Sequence, residues 1–202
     1  AENCSLSTDA AIEIYPYNNT TYILRQNKCS HYEAPFIYVL FGEHSVFIQD
    51  TGAQENADDF PLYNVVMTLV KKVAATNNKV AEDYSIIVSH SHSHSDHIAA
   101  DKQFIDQPNV TVISPTLAGV KNYLGYYDDL HWPNDIASLD IGERKLSIIP
   151  IPGHQTESIA VYDQQTKLLL TGDTFYPGRL YVKDWADYRN SIKRLVKFTE
   201  LN

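Results

Sequence analysis

A mixed α and β fold, with strands and helices packed in layers, is what the order of hydrophobic patterns along this chain predicts. Three observations carry that expectation. Short strand-like apolar runs recur along the chain, stretches of helical periodicity separate them, and no repeat, low-complexity tract or linker interrupts the series. At 202 residues the chain suits a single domain with a full core, so residues 1–202 are read as one domain.

"FIYVLF" (Phe36 to Phe41) and "SVFIQ" (Ser45 to Gln49) flank Gly42, Glu43 and His44 and predict a β-hairpin ending in "DTGA", Asp50 to Ala53. From Pro61 the period changes. After Leu62, the residues Val65, Val66, Leu69, Val70 and Val73 form the stripe of a half-buried helix, and Pro61 with Asp58 and Asp59 ahead of it fits a helix start. "YSIIVS" (Tyr84 to Ser89) has the length and apolarity of a strand buried on both faces. "VTVIS" (Val110 to Ser114) predicts another strand, followed by a helix from Pro115 to Leu124. "KLSIIPI" (Lys145 to Ile151) is strand-like, and "SIAVYD" (Ser158 to Asp163) and "KLLLTGD" (Lys167 to Asp173) flank Gln164 to Thr166 as a hairpin. An amphipathic helix closes the series from Asp184 to about Thr199, with Trp185, Tyr188, Ile192, Leu195 and Val196 on its apolar face.

Apolar residues make up 44% of the chain and charged ones 20%, and no apolar run approaches the ~20 residues of a membrane span. A formal charge of -9 argues against a nucleic-acid footprint. The basic residues Arg179, Lys183, Arg189, Lys193, Arg194 and Lys197 lie late and read as the polar face of the last helix. Cys4 and Cys29 stand far from the histidine cluster, which argues against their being metal ligands; the expectation is one disulfide closing a short loop, the alternative two reduced thiols in a cytosolic protein. With Ala1 in place of a starting Met, they predict a processed N-terminus and a periplasmic or secreted protein.

The chemistry concentrates in "SIIVSHSHSHSDHIAA", Ser85 to Ala100, which places His90, His92, His94, Asp96 and His97 directly after a strand. In extended chain, residues two apart project the same way, so His92 and His94 can approach one cation together. Asp96 and His97 follow where the chain turns toward a helix and can reach a second position. His154 in "PIPGHQTES" and Asp173 in "LLLTGDTF" each follow a strand-like run, with Gly153 and Gly172 shaping the turns. Imidazole and carboxylate together suit zinc, with iron or manganese also compatible.

"SHSHSDH", "PGH" and "TGD" in this order, with "DTG" upstream, resemble the metallo-β-lactamase superfamily over nearly the whole chain. The resemblance implies an α+β fold of αββα sandwich type, with a dinuclear metal site at one end. It implies that His92, His94 and His154 bind the first metal and that Asp96, His97 and Asp173 bind the second, with Asp173 bridging. The adjacent Asp96 and His97 fix this register, leaving His90 structural or an outer partner. Asp50 of "DTG" is read as a carboxylate that accepts the outer N–H of a metal-bound histidine. His31, His44 and His131 carry no motif and read as surface or loop residues, His131 beside Trp132 being a candidate cleft residue. Members with a full dinuclear site usually carry one more histidine after "TGD", whereas the last histidine here is His154. The expectation is therefore a sandwich cut before its last strand, or a second site that is incomplete.

Two divalent cations roughly 3.5–4 Å apart can lower the pKa of a shared water and polarise a carbonyl or phosphoryl oxygen. The expected activity is a metal-dependent hydrolase using a metal-bound hydroxide on a small ester, thioester or lactone, with Asp96 also orienting the hydroxide. The bridging Asp173 resembles glyoxalase II and lactonase branches more than true β-lactamases, although this chain shows no helical glutathione-binding region after its last helix. The alternatives are a noncatalytic metal-binding or interaction module of the same fold, or a phosphodiesterase or β-lactamase. "NYLGYYDDLHWP" (Asn122 to Pro133) and "FYPGRLYVKDW" (Phe175 to Trp185) are candidate walls for a small-molecule substrate, with Arg179 or Lys183 positioned to pair an anionic group.

Overall fold

The computed structural model describes Cys4, residues 7–127 and residues 130–201. Asp128 and Asp129 of the first aromatic stretch lie outside the described residues. The chain divides into two compact units, the first comprising residues up to Ser89 with His94–Val112, the second His90–Ser93 with the chain from Ile113 onward.

The first unit is built on a six-stranded sheet of β1 (Ile12–Asn18), β2 (Thr21–Gln26), β3 (Phe36–Phe41), β4 (Ser45–Gln49), β5 (Ser85–Ser89) and β6 (Val110–Val112), hydrogen-bonded in that order. β1 to β4 run antiparallel, β1–β2 and β3–β4 joined by short turns and β2–β3 by a longer loop. β4, β5 and β6 are parallel, which requires crossovers, and α1 (Leu62–Thr76) supplies the first of them. Its buried stripe of Leu62, Val66, Leu69, Val70 and Val73 packs on Leu24, Ile37, Val39, Val46, Ile48 and Val88 of the sheet. Val65, placed on that stripe by its spacing, is half-buried. The second crossover contains α2 (Ser95–Ile98), a single helical turn.

The second unit holds β7 (Ala137–Asp140), β8 (Lys145–Pro150), β9 (Ile159–Asp163) and β10 (Leu169–Leu170), antiparallel in the order β10-β9-β8-β7. α3 (Leu117–Tyr123) starts at Thr116, whose hydroxyl accepts from the N–H of Gly119. α4 (Trp185–Thr199) starts at Asp184, whose carboxylate accepts from the N–H of Asp187. Leu195 and Phe198 of α4 pack on Ile149, Ile151, Ala160 and Tyr162 of the sheet.

The hairpin β3–β4, the helix α1 and the strands β5, β8 and β9 fall where the hydrophobic pattern predicts them. Four details differ. β1 and β2 were not anticipated, because every residue of β1 after Ile12 is exposed and Pro16 sits in it; proline is tolerated there because β1 is a sheet edge. β7 is too short and polar to show a period. The expected strand over Lys167–Asp173 shrinks to Leu169–Leu170, since Lys167 takes a positive φ of 63° and the chain coils into a 3₁₀ turn at Gly172–Thr174. On α4 the buried row is Tyr188, Ser191, Leu195 and Phe198, while Trp185 and Val196 are 64% and 52% exposed. The face is rotated because Ser191, polar by type, donates its hydroxyl to the carbonyl of Pro152 at 2.7 Å.

Cys4 and Cys29 are joined in a disulfide with their Cα atoms 5.2 Å apart. Buried in the second unit, Arg144 pairs with Asp163 through Nε at 3.1 Å and Nη2 at 2.5 Å. Burial alone would raise the Asp163 carboxyl. The bonds from Arg144 and Thr166 outweigh it and hold that carboxyl below the usual carboxylate range.

Candidate metal centre

The predicted ligands lie at the carboxyl ends of strands and in the turns that follow, where an α/β sheet places its chemistry. In the first unit, β4 ends at Gln49 and the chain turns sharply, Asp50 adopting φ 68° and Gly52 φ 80°. The N–H of Asp50 bonds the carbonyl of Ser89 at 2.8 Å, locking the end of β4 to the end of β5. His94 precedes α2 in extended conformation, and α2 then delivers Asp96 and His97 within one turn. The N–H of Thr51 bonds the carbonyl of His97 at 2.8 Å, and that of Ala99 bonds Gly52 at 3.0 Å. "DTG" therefore grips the helical turn along its backbone.

Nδ1 of His97 lies 2.8 Å from Oδ2 of Asp50, both residues being buried. A carboxylate accepts, so this bond places the proton on Nδ1 and turns the Nε2 lone pair the other way. Nε2 faces Oδ2 of Asp96 at 3.2 Å. Burial works to raise the Asp96 carboxyl, but hydrogen bonding and charge from His97 hold it below the usual carboxylate range. A nitrogen lone pair and a carboxylate at that distance call for a positive charge between them, a proton or a metal cation.

The second unit repeats the arrangement with different supports. His92 and His154 are buried, with ring centroids 4.5 Å apart in edge-to-face contact. Donor atoms of His92 and His154 lie within 4.8 Å of each other, as do those of His92 and Asp173. Nδ1 of His154 donates to the carbonyl of Tyr181 at 2.6 Å, which turns the Nε2 lone pair the other way, 4.0 Å from Oδ2 of Asp173. Nδ1 of His92 meets the hydroxyl of Ser91 at 3.0 Å.

The loops bearing His154 and Asp173 are fastened by α4 and the chain before it. The carbonyl of Gly153 accepts from the N–H groups of Lys183 and Asp184 at 2.8 and 2.9 Å. A side chain at Gly153, where φ is 133°, would meet the backbone of Tyr188 at 2.5 Å. The Tyr188 hydroxyl donates to Thr174 at 2.9 Å, beside Asp173. Gly172 packs so closely on Ser91 that a Cβ would lie 2.5 Å from it.

Each unit thus assembles half of the predicted set: Asp96 and His97 with His94 leading into them in the first, and His92, His154 and Asp173 in the second. His90 is buried. His31 and His44 stand beside surface glutamates, and His131, 80% exposed, pairs with Asp135 at 3.2 Å. The partners of the ligands are less legible, because Tyr181 acts through its backbone and Ser91 has no motif of its own. Asp50 is the exception, announced by "DTG".

The family model described as the metallo-beta-lactamase superfamily matches residues 33–202. The chain belongs to that superfamily. Among curated proteins it is similar to acyl-coenzyme A thioesterase MBLAC2 of Bos taurus, 32% identical over 68 residues, which cover 31% of this chain and 24% of that protein. It is also similar to a hydroxyacylglutathione hydrolase of Bartonella quintana (strain Toulouse), 33% identical over 108 residues, which cover 52% of this chain and 41% of that protein. The chain therefore spans less than half the length of these curated relatives. A solved metallo-beta-lactamase from Pontibacter korlensis superposes with a TM-score of 0.60 at 17% identity, covering 92% of this chain and 85% of that one. At that identity the likeness establishes the fold, which is the mixed α and β fold of the superfamily.

Proposed function

We propose that the protein is a metal-dependent hydrolase acting on a small ester, thioester or lactone, and that zinc is its metal. One observation carries the reading: each half of the ligand set presents an imidazole Nε2 to a carboxylate, His97 to Asp96 and His154 to Asp173, with Nδ1 already bonded. The donor set fits a divalent cation of zinc type. The proposed ligands are His92, His94 and His154 for one metal and Asp96, His97 and Asp173 for the other, within one domain, since the family match runs through both units.

A bound pair of such cations supplies an acidified water and a polarised substrate carbonyl. The chain's own residues do the rest. Asp50 and the Tyr181 carbonyl fix the tautomers of His97 and His154, and Asp96 is the carboxylate proposed to orient a water that the metals would hold. Phe175, Tyr181 and Trp185, all more than half exposed, offer an aromatic wall beyond Asp173. Arg179 stacks on Tyr181 at 5.3 Å and Lys183 bonds Gln155, so an anionic substrate group would find two cations there. The thioesterase and hydroxyacylglutathione hydrolase names of the relatives point toward thioesters. The Cys4–Cys29 disulfide supports an oxidising, exported setting. Among the described residues no helix is long and apolar enough to cross a membrane.

Metal content by mass spectrometry on protein purified without added metal, with turnover of a generic thioester and lactone, tests the reading. About two zinc per chain and metal-dependent turnover are expected. Metal without turnover of any ester, phosphodiester or β-lactam would replace the hydrolase by a binding module.

A further inference from the structure

Glu157 is a charged side chain only 6% exposed in the second unit. No Lys, Arg or His forms an ion pair with it among the described residues. A buried carboxylate is costly unless its oxygens are bonded. Here Oε1 accepts from the backbone N–H of Ser93 at 3.1 Å, and Oε2 accepts from the hydroxyl of Thr156 at 3.0 Å.

The position of that first bond gives it meaning. Ser93 directly follows His92 in the chain, and Ser91 directly precedes it. The carbonyl of Ser91 accepts from the N–H of Ile159 at 2.9 Å. His92 is therefore held from both sides by the short stretch 157–159, through a strand-type backbone bond on one side and a side-chain carboxylate on the other. The same stretch closes the loop that begins at His154. The N–H of Gln155 bonds the Ser158 hydroxyl at 3.1 Å, and that of Ser158 bonds the Gln155 carbonyl at 3.3 Å. The loop is tight, so whatever fixes Ser93 to Glu157 also fixes His92 against His154.

We propose that Glu157 is a positioning residue for the metal centre, setting the His92 imidazole against that of His154 before a cation arrives. This rests on the hydrolase reading above, since it concerns the same centre. Two properties of the side chain can be separated. Glu157→Gln keeps an oxygen acceptor at the same reach and removes the charge, whereas Glu157→Asp keeps the charge and falls one methylene short of Ser93.

The measurement is zinc affinity of the metal-free protein in competition with a chromophoric chelator, together with the visible absorption of the cobalt(II)-loaded form, which reports ligand geometry. For Glu157→Asp we expect zinc affinity to fall about 10–100-fold, the range for losing an outer partner of a metal ligand, with an altered cobalt spectrum. For Glu157→Gln we expect affinity within about threefold of wild type and an unchanged spectrum. If Glu157→Asp binds zinc like wild type, or if Glu157→Gln is weakened as much as Glu157→Asp, the hydrogen-bonded strut is not what sets the site. Wild-type protein that binds no zinc at all would instead remove the hydrolase reading, and this role with it.

Discussion

The two units orient an imidazole of the proposed ligand set by different means. In the first unit the partner of His97 is the carboxylate of Asp50, held in a left-handed turn at the end of a strand. In the second unit the partner of His154 is a backbone carbonyl, that of Tyr181, on a loop fastened by α4. Both partners fix the tautomer and ring orientation and raise the basicity of the imidazole, and the carboxylate adds a full negative charge that the carbonyl lacks. The first half is therefore controlled by one side chain, and the second by the packing of a loop.

The widest break in the comparison comes from the ligands themselves. His92→Ala or Asp173→Asn in the second half, and His97→Ala in the first, should each lower kcat/KM on a thioester or lactone by at least about 10³-fold, roughly 4 kcal/mol of transition-state stabilisation. Steady-state kinetics on folded variants decide it. Equal losses mean that both halves serve one reaction; if His97→Ala stays near wild type while the other two fail, a single metal held by the second half suffices.

Next in size is a test of the ion pair buried in the second unit. Arg144→Met leaves Asp163 buried without its cation and should cost roughly 3 kcal/mol or more in urea unfolding at pH 7. The pH dependence has a definite sign. The folded Asp163 carboxyl sits below its unfolded value, so the pair's contribution is present above about pH 4 and is lost as pH falls through the folded pKa. Unfolding free energy of the wild type should drop across that acid range, and the drop should shrink in Asp163→Asn.

That contrast also marks what the sequence made legible. The six proposed ligands stand in short motifs after strands, so His92, His94, Asp96, His97, His154 and Asp173 could be proposed from spacing and resemblance. Asp50 was legible for the same reason. The supports of the second half were not, because a carbonyl at Tyr181 has no side-chain signature and Glu157 acts across 64 residues on a backbone N–H. The fold shows the same division. Continuous apolar runs such as β8 and the periodic α1 were readable, while the exposed edge strand β1 was not. The buried face of α4 misled because Ser191 is bonded rather than apolar.

Asp50→Asn sharpens the comparison further, since no substitution can remove its counterpart, the Tyr181 carbonyl. The amide keeps the shape of the carboxylate but not its charge. Zinc affinity should fall about 10–100-fold, read by chelator competition, with a much smaller change in urea stability. An affinity equal to wild type would mean that charge at this partner is immaterial and that the two halves work alike after all.

The smallest effects separate a true support of the second half from a neighbour that only resembles one. Ser191 is fully buried and bonded to Pro152, one residue from Gly153, so Ser191→Ala strands that carbonyl and should cost about 1 kcal/mol. Trp185, the first residue of α4, has far more apolar surface, yet it is 64% exposed and its ring contact is a stacked one with Tyr188 of the same helix at 6.1 Å. Its replacement by Ala should stay within about 0.5 kcal/mol in urea unfolding. If Trp185→Ala raises KM for an aromatic or acyl-chain substrate while stability holds, the indole belongs to the substrate wall and not to the clamp. If it costs more stability than Ser191→Ala, the apolar face that the sequence pattern drew on α4 matters more than the hydrogen bond that rotated it.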